Sequence, residues 1–498
     1  MDSTNIHWTA LWVFVFFFVL VTVMGFMASK WMTGPKNKGA HLDEWGLGGR
    51  NFGAWITWFL VGGDFYTAYT VIAVPALVYA VGAYGFFALP YTILVYPIVF
   101  VIMPKLWHAA HKAGHVTAAD VVWGRYKSRP LEFAIALTGV VATMPYIALQ
   151  LIGMEVVIKA LGLTGELPLL AAFVILALYT YSAGLRAPAL IAFVKDLMIY
   201  IVVLVAVVLV PIKLGGYRAV FDAAGVAFEA KGGATGLILK PAQMLPYATL
   251  ALGSALAAFM YPHTLTGIFA AKSATTIRKN AVYLPAYTLL LGLIAMLGYM
   301  AYAAHVSPAT PNDVVPALFK ALFPGWFVGF AFAAIAIGAL VPAAVMSIGA
   351  ANLFTRNFWK AYVNPQVTPV EEAKVAKVVS LVVKVGALVF ILFIPTQFAL
   401  DLQLLGGLWI IQTFPSVVFG LFCNKLGGRA LLLGWIVGMV SGTWLAYSDG
   451  VKPVHTMIIG GEPYTVYTGL LALVINIAVV LVAQLALGKS AYSAPRHA

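Results

Sequence analysis

Uncharged apolar stretches close to 20 residues long recur from one end of this chain to the other, and no other feature restricts its fold so severely. A helix rises about 1.5 Å per residue, so about 20 residues cross a hydrocarbon layer of about 30 Å. Inside that layer every backbone N–H and C=O must find its partner within the protein, and a helix provides this segment by segment. The 498 residues are 62% hydrophobic and only 9% charged, where a soluble domain carries roughly 25% charged residues. An all-α polytopic membrane protein is therefore predicted. Thirteen candidate helices lie at about 7–29, 52–81, 83–104, 131–159, 167–183, 187–212, 243–271, 281–305, 325–352, 373–395, 397–422, 428–447 and 467–486, with ends placed to about ±2–4 residues.

The formal net charge of +13 invites a nucleic-acid reading, and its distribution excludes one. Of the 30 Lys and Arg, 21 fall in one set of alternate loops and seven in the other, with Lys195 and Lys384 inside helices. Basic loops stay in the cytoplasm, so the N-terminus is expected outside and the C-terminus inside a cell (inner) membrane. An odd number of spans demands the same. The expected partners are the bilayer and a small solute. Cys423, the single cysteine, leaves no intrachain disulfide to form. The first helix lacks a charged leader region and reads as a retained, lipid-facing accessory.

One span is interrupted. In the stretch 51–82, Gly62-Gly63-Asp64 breaks an otherwise apolar run. A carboxylate at membrane depth is costly and marks a functional site by default. Paired glycines let the helix unwind and turn its carbonyls toward an ion or substrate. A second interrupted segment, 244–271, carries Gly253-Ser254 in its middle and Pro262-His263 near its end. Broken helices at matching positions of two halves point to a transporter's binding site. The link 213–242 separates a five-helix block at 52–212 from another at 243–422. Five helices apiece put the blocks in opposite orientations, the pattern of an inverted repeat. Residues 1–51 then form an accessory helix and a cytoplasmic link, and 423–498 two further helices and a tail.

Other polar residues lie within the apolar helices. Pro145 interrupts the fourth, after which Tyr146, Gln150 and Met154 share a face. Gln150 can serve a polar solute or bond helix to helix. Lys195, nine residues beyond Arg186, lies roughly 13 Å deep. Its neighbour Asp196 points about 100° away, so the two need not pair, and Asp64 is the obvious partner on another helix. Lys384 is also near mid-bilayer, as a structural or water-path residue or a counter-charge for a carboxylate. Asp401, Gln403 and Gln412 are candidates for a gate or cavity. His108, His111 and His115 have helical spacing for a metal, yet no acid joins them before Asp120, and a basic interfacial helix is the plainer reading. No His-Glu-x-x-His motif or Cys–His pair suggests an enzyme, and no cofactor is expected.

The segment MYPHTLTGIFAAKSATTIRKN (260–280) resembles the Pro-His segment of the sodium:solute symporter family. SAGLRAPALIAFVKD resembles that family's GGLRA motif with its downstream Asp, VVWGRY (121–126) its RY segment, and Gly62-Gly63-Asp64 its small-small-Asp break. VPAAVMSIGAANLFTRN (341–357) is most similar to the bacterial monocarboxylate permease branch. The resemblance implies a LeuT-like fold of five plus five inverted helices with extra helices at the ends. It also implies ion-coupled uptake, by alternating access, of small acids such as lactate or pyruvate, or of alanine.

The family's sodium site uses carbonyls of the first break and hydroxyls of the ninth helix. Here those hydroxyl positions fall on Val341 and Pro342, and Ser347 is the nearest hydroxyl. Sodium wants oxygen ligands. Pro342 removes a backbone donor and frees carbonyls near Gly338. Proton coupling through Asp64, Lys195 and Asp196 is accordingly favoured slightly over sodium. For the carboxylate, the half-helix N-termini after Gly63 and Gly253 offer N–H groups and dipoles. Gly62, Gly63, Tyr66, Thr67, Tyr146, Gln150, Gly253 and Ser254 are the candidate contacts, with Phe65 and Met154 as an apolar wall. A sodium-coupled symporter of another organic solute, and an uncoupled facilitator or channel, are the rival readings.

Overall fold

The structure, a computed structural model, describes residues 6–30, 41–63, 66–164, 167–232, 235–393 and 399–487. Asp64 and Phe65 lie outside the described residues. α1 (Trp8–Met27) and the short α2 (Leu42–Leu47) precede the first interrupted span, which is α3 (Ala54–Gly62), a π turn at Tyr69–Ala73, and α4 (Val74–Val81). There follow α5 (Ala88–Ala113), α6 (Ala118–Tyr126), α7 (Arg129–Ala160), α8 (Leu167–Ala183) and α9 (Arg186–Lys213). α10 (Tyr217–Ala230) occupies the link to the second interrupted span, α11 (Pro241–Ala258) and α12 (Pro262–Ala270). The next span is built from α13 (Ala274–Tyr283), α14 (Pro285–Ala295) and α15 (Leu297–Ala303), with α16 (Val314–Leu322) after it. α17 (Gly325–Phe354), α18 (Pro369–Phe393), α19 (Ala399–Ile410), α20 (Gly420–Phe422) and α21 (Gly428–Ser448) come next. A hairpin of β1 (Val454–Ile459) and β2 (Glu462–Tyr467) leads to α22 (Thr468–Leu487).

Among the described residues, nine helices are long and apolar enough to cross a membrane, or ten with the bent α11–α12 pair counted as one. Tyr69–Val81 and Leu167–Ala183 are shorter apolar helices. The predicted thirteen spans are not reached on that measure.

The two interrupted spans run antiparallel and are tied at both ends. Phe52, just before α3, forms a β-bridge with Ala271, just after α12, and Trp107 Nε1 donates to the Ala271 carbonyl at 2.9 Å. At the opposite end Gly82, after α4, bridges Gly236, ahead of α11. The second break is not where the glycine suggested. Gly253 and Ser254 lie inside the continuous α11, and the chain bends by 47° at 259–261. A Cβ on Gly253 would run into the Tyr467 ring, so this glycine makes room for packing. Pro262 then starts α12, at a position where its missing N–H costs nothing.

α17 is the buried axis, with 94% of its apolar window covered. Small residues allow the close approach: a Cβ on Gly329 would strike the backbone of Ala10, and one on Gly349 would lie 2.9 Å from His263 N. α1 therefore packs one face (Ala10, Phe14, Phe18, Val21) on the bundle while Trp8, Trp12, Phe16 and Val23 stay exposed. It is lipid-facing on one side only.

Basic residues from the two sets of loops make separate groups of contacts. In one group Arg50 pairs with Asp43 at 3.0 Å, Arg186 with Glu44, and Arg356 with Glu372 at 2.9 Å and Asp120 at 3.6 Å. In the other, Lys320 donates to the Ala160 carbonyl at 3.0 Å, Lys231 to Tyr302 Oη at 2.6 Å, and Lys213 to the Leu322 carbonyl.

Candidate functional site

Lys195 is fully buried in α9, and its ammonium is seated on the first break. Nζ donates to the Gly63 carbonyl at 2.6 Å and the Tyr66 carbonyl at 3.0 Å. It also forms an ion pair with Asp196 Oδ1 at 2.9 Å, so the two adjacent residues do meet. A long, flexible lysine folds back across the helical divergence that made the pair look improbable. Asp196 accepts a second bond, from Tyr287 Oη, at 2.8 Å. The cation thus has two carbonyls and a carboxylate around it, the compensation that a buried charge needs.

Packing holds this centre closed. A Cβ on Gly63 would sit 2.9 Å from Lys195 Nζ, and one on Gly62 would sit 2.6 Å from the Tyr287 ring. The Tyr66 ring lies tilted 4.5 Å from Tyr287 and edge-on 5.5 Å from Tyr200, and its hydroxyl donates to the Tyr287 carbonyl at 3.3 Å. α17 passes alongside, where a Cβ on Gly338 would be 3.7 Å from the Tyr66 carbonyl oxygen. Val341 and Pro342 are buried there and bring no side-chain oxygen, while Ser347 donates to Ala344 O of its own helix at 2.8 Å.

The N-terminus after this break is already capped. Thr67 Oγ1 accepts from Tyr69 N at 3.0 Å, and Gln150 Oε1 accepts from Ala68 N at 3.1 Å. Those donors are therefore not free for a carboxylate, contrary to expectation.

The second break faces a small cavity. Its walls include Val61 of α3, Tyr91 of α5, Tyr146 of α7, Tyr261 and His263 at the break, and Gln403 of α19. Tyr146 lies 5.2 Å from the Tyr261 ring and 5.4 Å from the His263 ring. One helix, α7, thus serves both breaks, with Gln150 at the first and Tyr146 at the second. His263 Nδ1 and Gln403 Oε1 are buried without a hydrogen-bond partner among the described residues. A further small cavity is lined by Met260 and Pro262 at one side and by Asn352 and Thr117 at the other.

Residues 45–438 match the profile of the sodium:solute symporter family. The chain belongs to that family. A monocarboxylate transport permease protein of Rhizobium johnstonii is 71% identical over 480 residues, 96% of this chain and 97% of that one. An uncharacterized symporter of Bacillus subtilis, YodF, is 32% identical over 492 residues, 98% of this chain and 95% of its own. Among solved structures, a Na+-coupled sialic acid symporter in a substrate-bound, outward-open state aligns over 99% of this chain and 100% of its own, with a TM-score of 0.78 at 15% identity. That likeness shows a shared, LeuT-like fold. This symporter is a membrane transporter and not an enzyme.

In this sodium:solute symporter the sequence-selected residues divide. Gly62, Gly63, Tyr66, Thr67, Gln150, Lys195, Asp196 and Gly338 converge on the first break, and Tyr146 on the cavity. Ser254 is buried inside α11 with no partner for Oγ among the described residues. Gln412 holds α22, donating to the Leu408 and Gly469 carbonyls at 3.1 Å each. Lys384 is fully buried and donates to Ser380 O of its own helix at 3.4 Å. His263, noticed in the sequence only as part of the Pro262-His263 pair and not counted among the candidate contacts, lines the cavity.

Proposed function

We propose that this symporter takes up a small monocarboxylate, lactate or pyruvate among them, with protons as the coupling ion. The observation that carries the reading is the Lys195 ammonium on the Gly63 and Tyr66 carbonyls. Carbonyls at a helix break are the ligands a hard cation would use, and here a cation built into the chain already holds them. Lys195, Asp196 and Asp64 form the titrating group. While protonated, Lys195 ties α9 to the broken span. Loss of the proton removes the ion pair with Asp196 and weakens the hold on both carbonyls, which frees the two bundles to rock.

The anion binds in the cavity at the second break, where the N-terminal end of α12 contributes a positive dipole and the wall is mostly apolar. The name of the Rhizobium johnstonii relative supports the substrate class. Blocks 52–212 and 243–422 act as inverted halves, a reading supported by the antiparallel tie between the broken spans. The basic end faces the cytoplasm of a bacterial cell membrane.

Purified protein in liposomes, given labelled pyruvate and lactate under separately imposed pH and sodium gradients, tests this directly. Uphill uptake driven by an inward proton gradient without sodium is expected. Uptake that needs sodium and ignores an uncoupler would return the coupling to the ion named by the family, and downhill movement alone would indicate a facilitator.

A further inference from the structure

We propose that Gln403 selects among acids by the substituent on their second carbon, with the carboxylate held at His263; this rests on the monocarboxylate reading above. His263 is 3% exposed and Gln403 2% exposed. Each leaves a polar atom unpartnered among the described residues, His263 Nδ1 and Gln403 Oε1, and both side chains line the same cavity. Buried polar atoms in native proteins almost always have partners. Other buried polar atoms also lack partners among the described residues, but these two share a cavity in which a ligand can complete the bonding.

The two groups are held at fixed separation. Tyr261 donates to the Gln403 backbone carbonyl at 3.0 Å, and its ring lies 5.2 Å from that of His263. Tyr146 closes the other side of the imidazole at 5.4 Å. An imidazole N–H set between rings at the start of a nine-residue helix suits a carboxylate. A carboxamide offers both a donor and an acceptor, so Gln403 meets either a hydroxyl or an oxo group. Val61, Val95 and Leu284 leave an apolar wall for the methyl end. An acid with a bare second carbon fills the same volume but leaves the amide desolvated and unpaired. Sites built to bond a polar substituent reject the analogue lacking it.

Reconstituted protein is assayed for uptake of labelled lactate, pyruvate and propionate. In the wild type KM for propionate is expected to exceed that for lactate or pyruvate by about tenfold or more. In Gln403→Leu the ratio of the KM values collapses toward one. Equal wild-type KM values overturn the inference without needing any variant, and so does a Gln403→Leu protein that keeps the discrimination. The shift in unfolding temperature of solubilised wild type and Gln403→Leu by lactate against propionate supplies the same comparison without transport. If none of the three acids accumulates or stabilises the wild type, the monocarboxylate reading falls and takes this one with it; accumulation without discrimination sinks this one alone.

Discussion

The two breaks look alike in the sequence and are opposites in the structure. The first has its backbone groups engaged: an ammonium occupies its carbonyls, and Thr67 and Gln150 Oε1 occupy its donors, although Gln150 Nε2 and Asp196 Oδ1 lack hydrogen-bond partners among the described residues. The second is deficient, with His263 and Gln403 lacking partners among the described residues and lying beside open space. A break whose backbone groups are already held is suited to being switched, because its parts define one stable arrangement. A deficient one is suited to being filled. On the function proposed above, the coupling cation and the solute are allotted to different breaks.

The severest way to break this contrast is to empty the first site. Lys195→Ala leaves Asp196 buried without its cation, and removing one member of such a pair costs about 3–5 kcal/mol. Thermal unfolding of the purified protein is expected to fall accordingly, and uptake to cease. Lys195→Met combined with Asp196→Asn removes both charges, so it should recover much of the stability and none of the proton-driven accumulation. Accumulation by the double variant would deny the ammonium its part in coupling.

Two glutamines sharpen the same comparison. Gln150→Leu strips the Ala68 N–H of its acceptor, and a buried donor left unpaired costs about 1–3 kcal/mol. Gln403→Leu removes an amide whose oxygen has no partner among the described residues, so its effect on stability is expected to be neutral or favourable. Paired melting curves decide it. Equal losses would mean that the second break is no less satisfied than the first.

Legibility follows the same division. The first break was readable because two glycines and an acid each weaken an apolar helix, and three such residues in succession mark where it opens. Its capping was not, since Gln150 reaches Ala68 only through the packing of α7 on the π turn. The second break was displaced by Gly253, because a glycine that admits an aromatic ring and a glycine that bends a helix are written identically. Pro262 was the better marker, as proline starts helices more readily than it sits within them. The hairpin carried a signal that a reading for apolar runs passes over: Gly460-Gly461 between β-branched and aromatic residues, with Ile459 paired to Glu462 across the turn.

That confusion is itself testable. Gly253→Ala pushes a methyl group toward Tyr467, whose ring is fully buried and bonded to the Leu404 carbonyl, and the cost is expected in the overpacking range of about 1–3 kcal/mol. KM for the transported acid should not move. A changed KM with unaltered stability would put the site back at residue 253 and undo the assignment of the second break to 259–261.

The smallest effect belongs to His115, which lies away from both breaks. It sits between α5 and α6, where a Cβ on Gly124 would lie 2.6 Å from its Cε1. Burial pushes its pKa below the usual histidine range, Asp120 opposes that shift, and Arg356, Lys127 and Arg50 reinforce it. The folded protein therefore holds the neutral imidazole, while the unfolded chain takes up a proton near the ordinary value of about 6.5. Stability from this residue is complete above that pH and declines as pH drops through it, because the unfolded state binds more protons there. His115→Gln should flatten the fall in unfolding temperature between about pH 7.5 and about pH 5.5 without altering the pH dependence of uptake. An altered uptake profile would place a titrating group of the transport cycle in this loop, away from the first break.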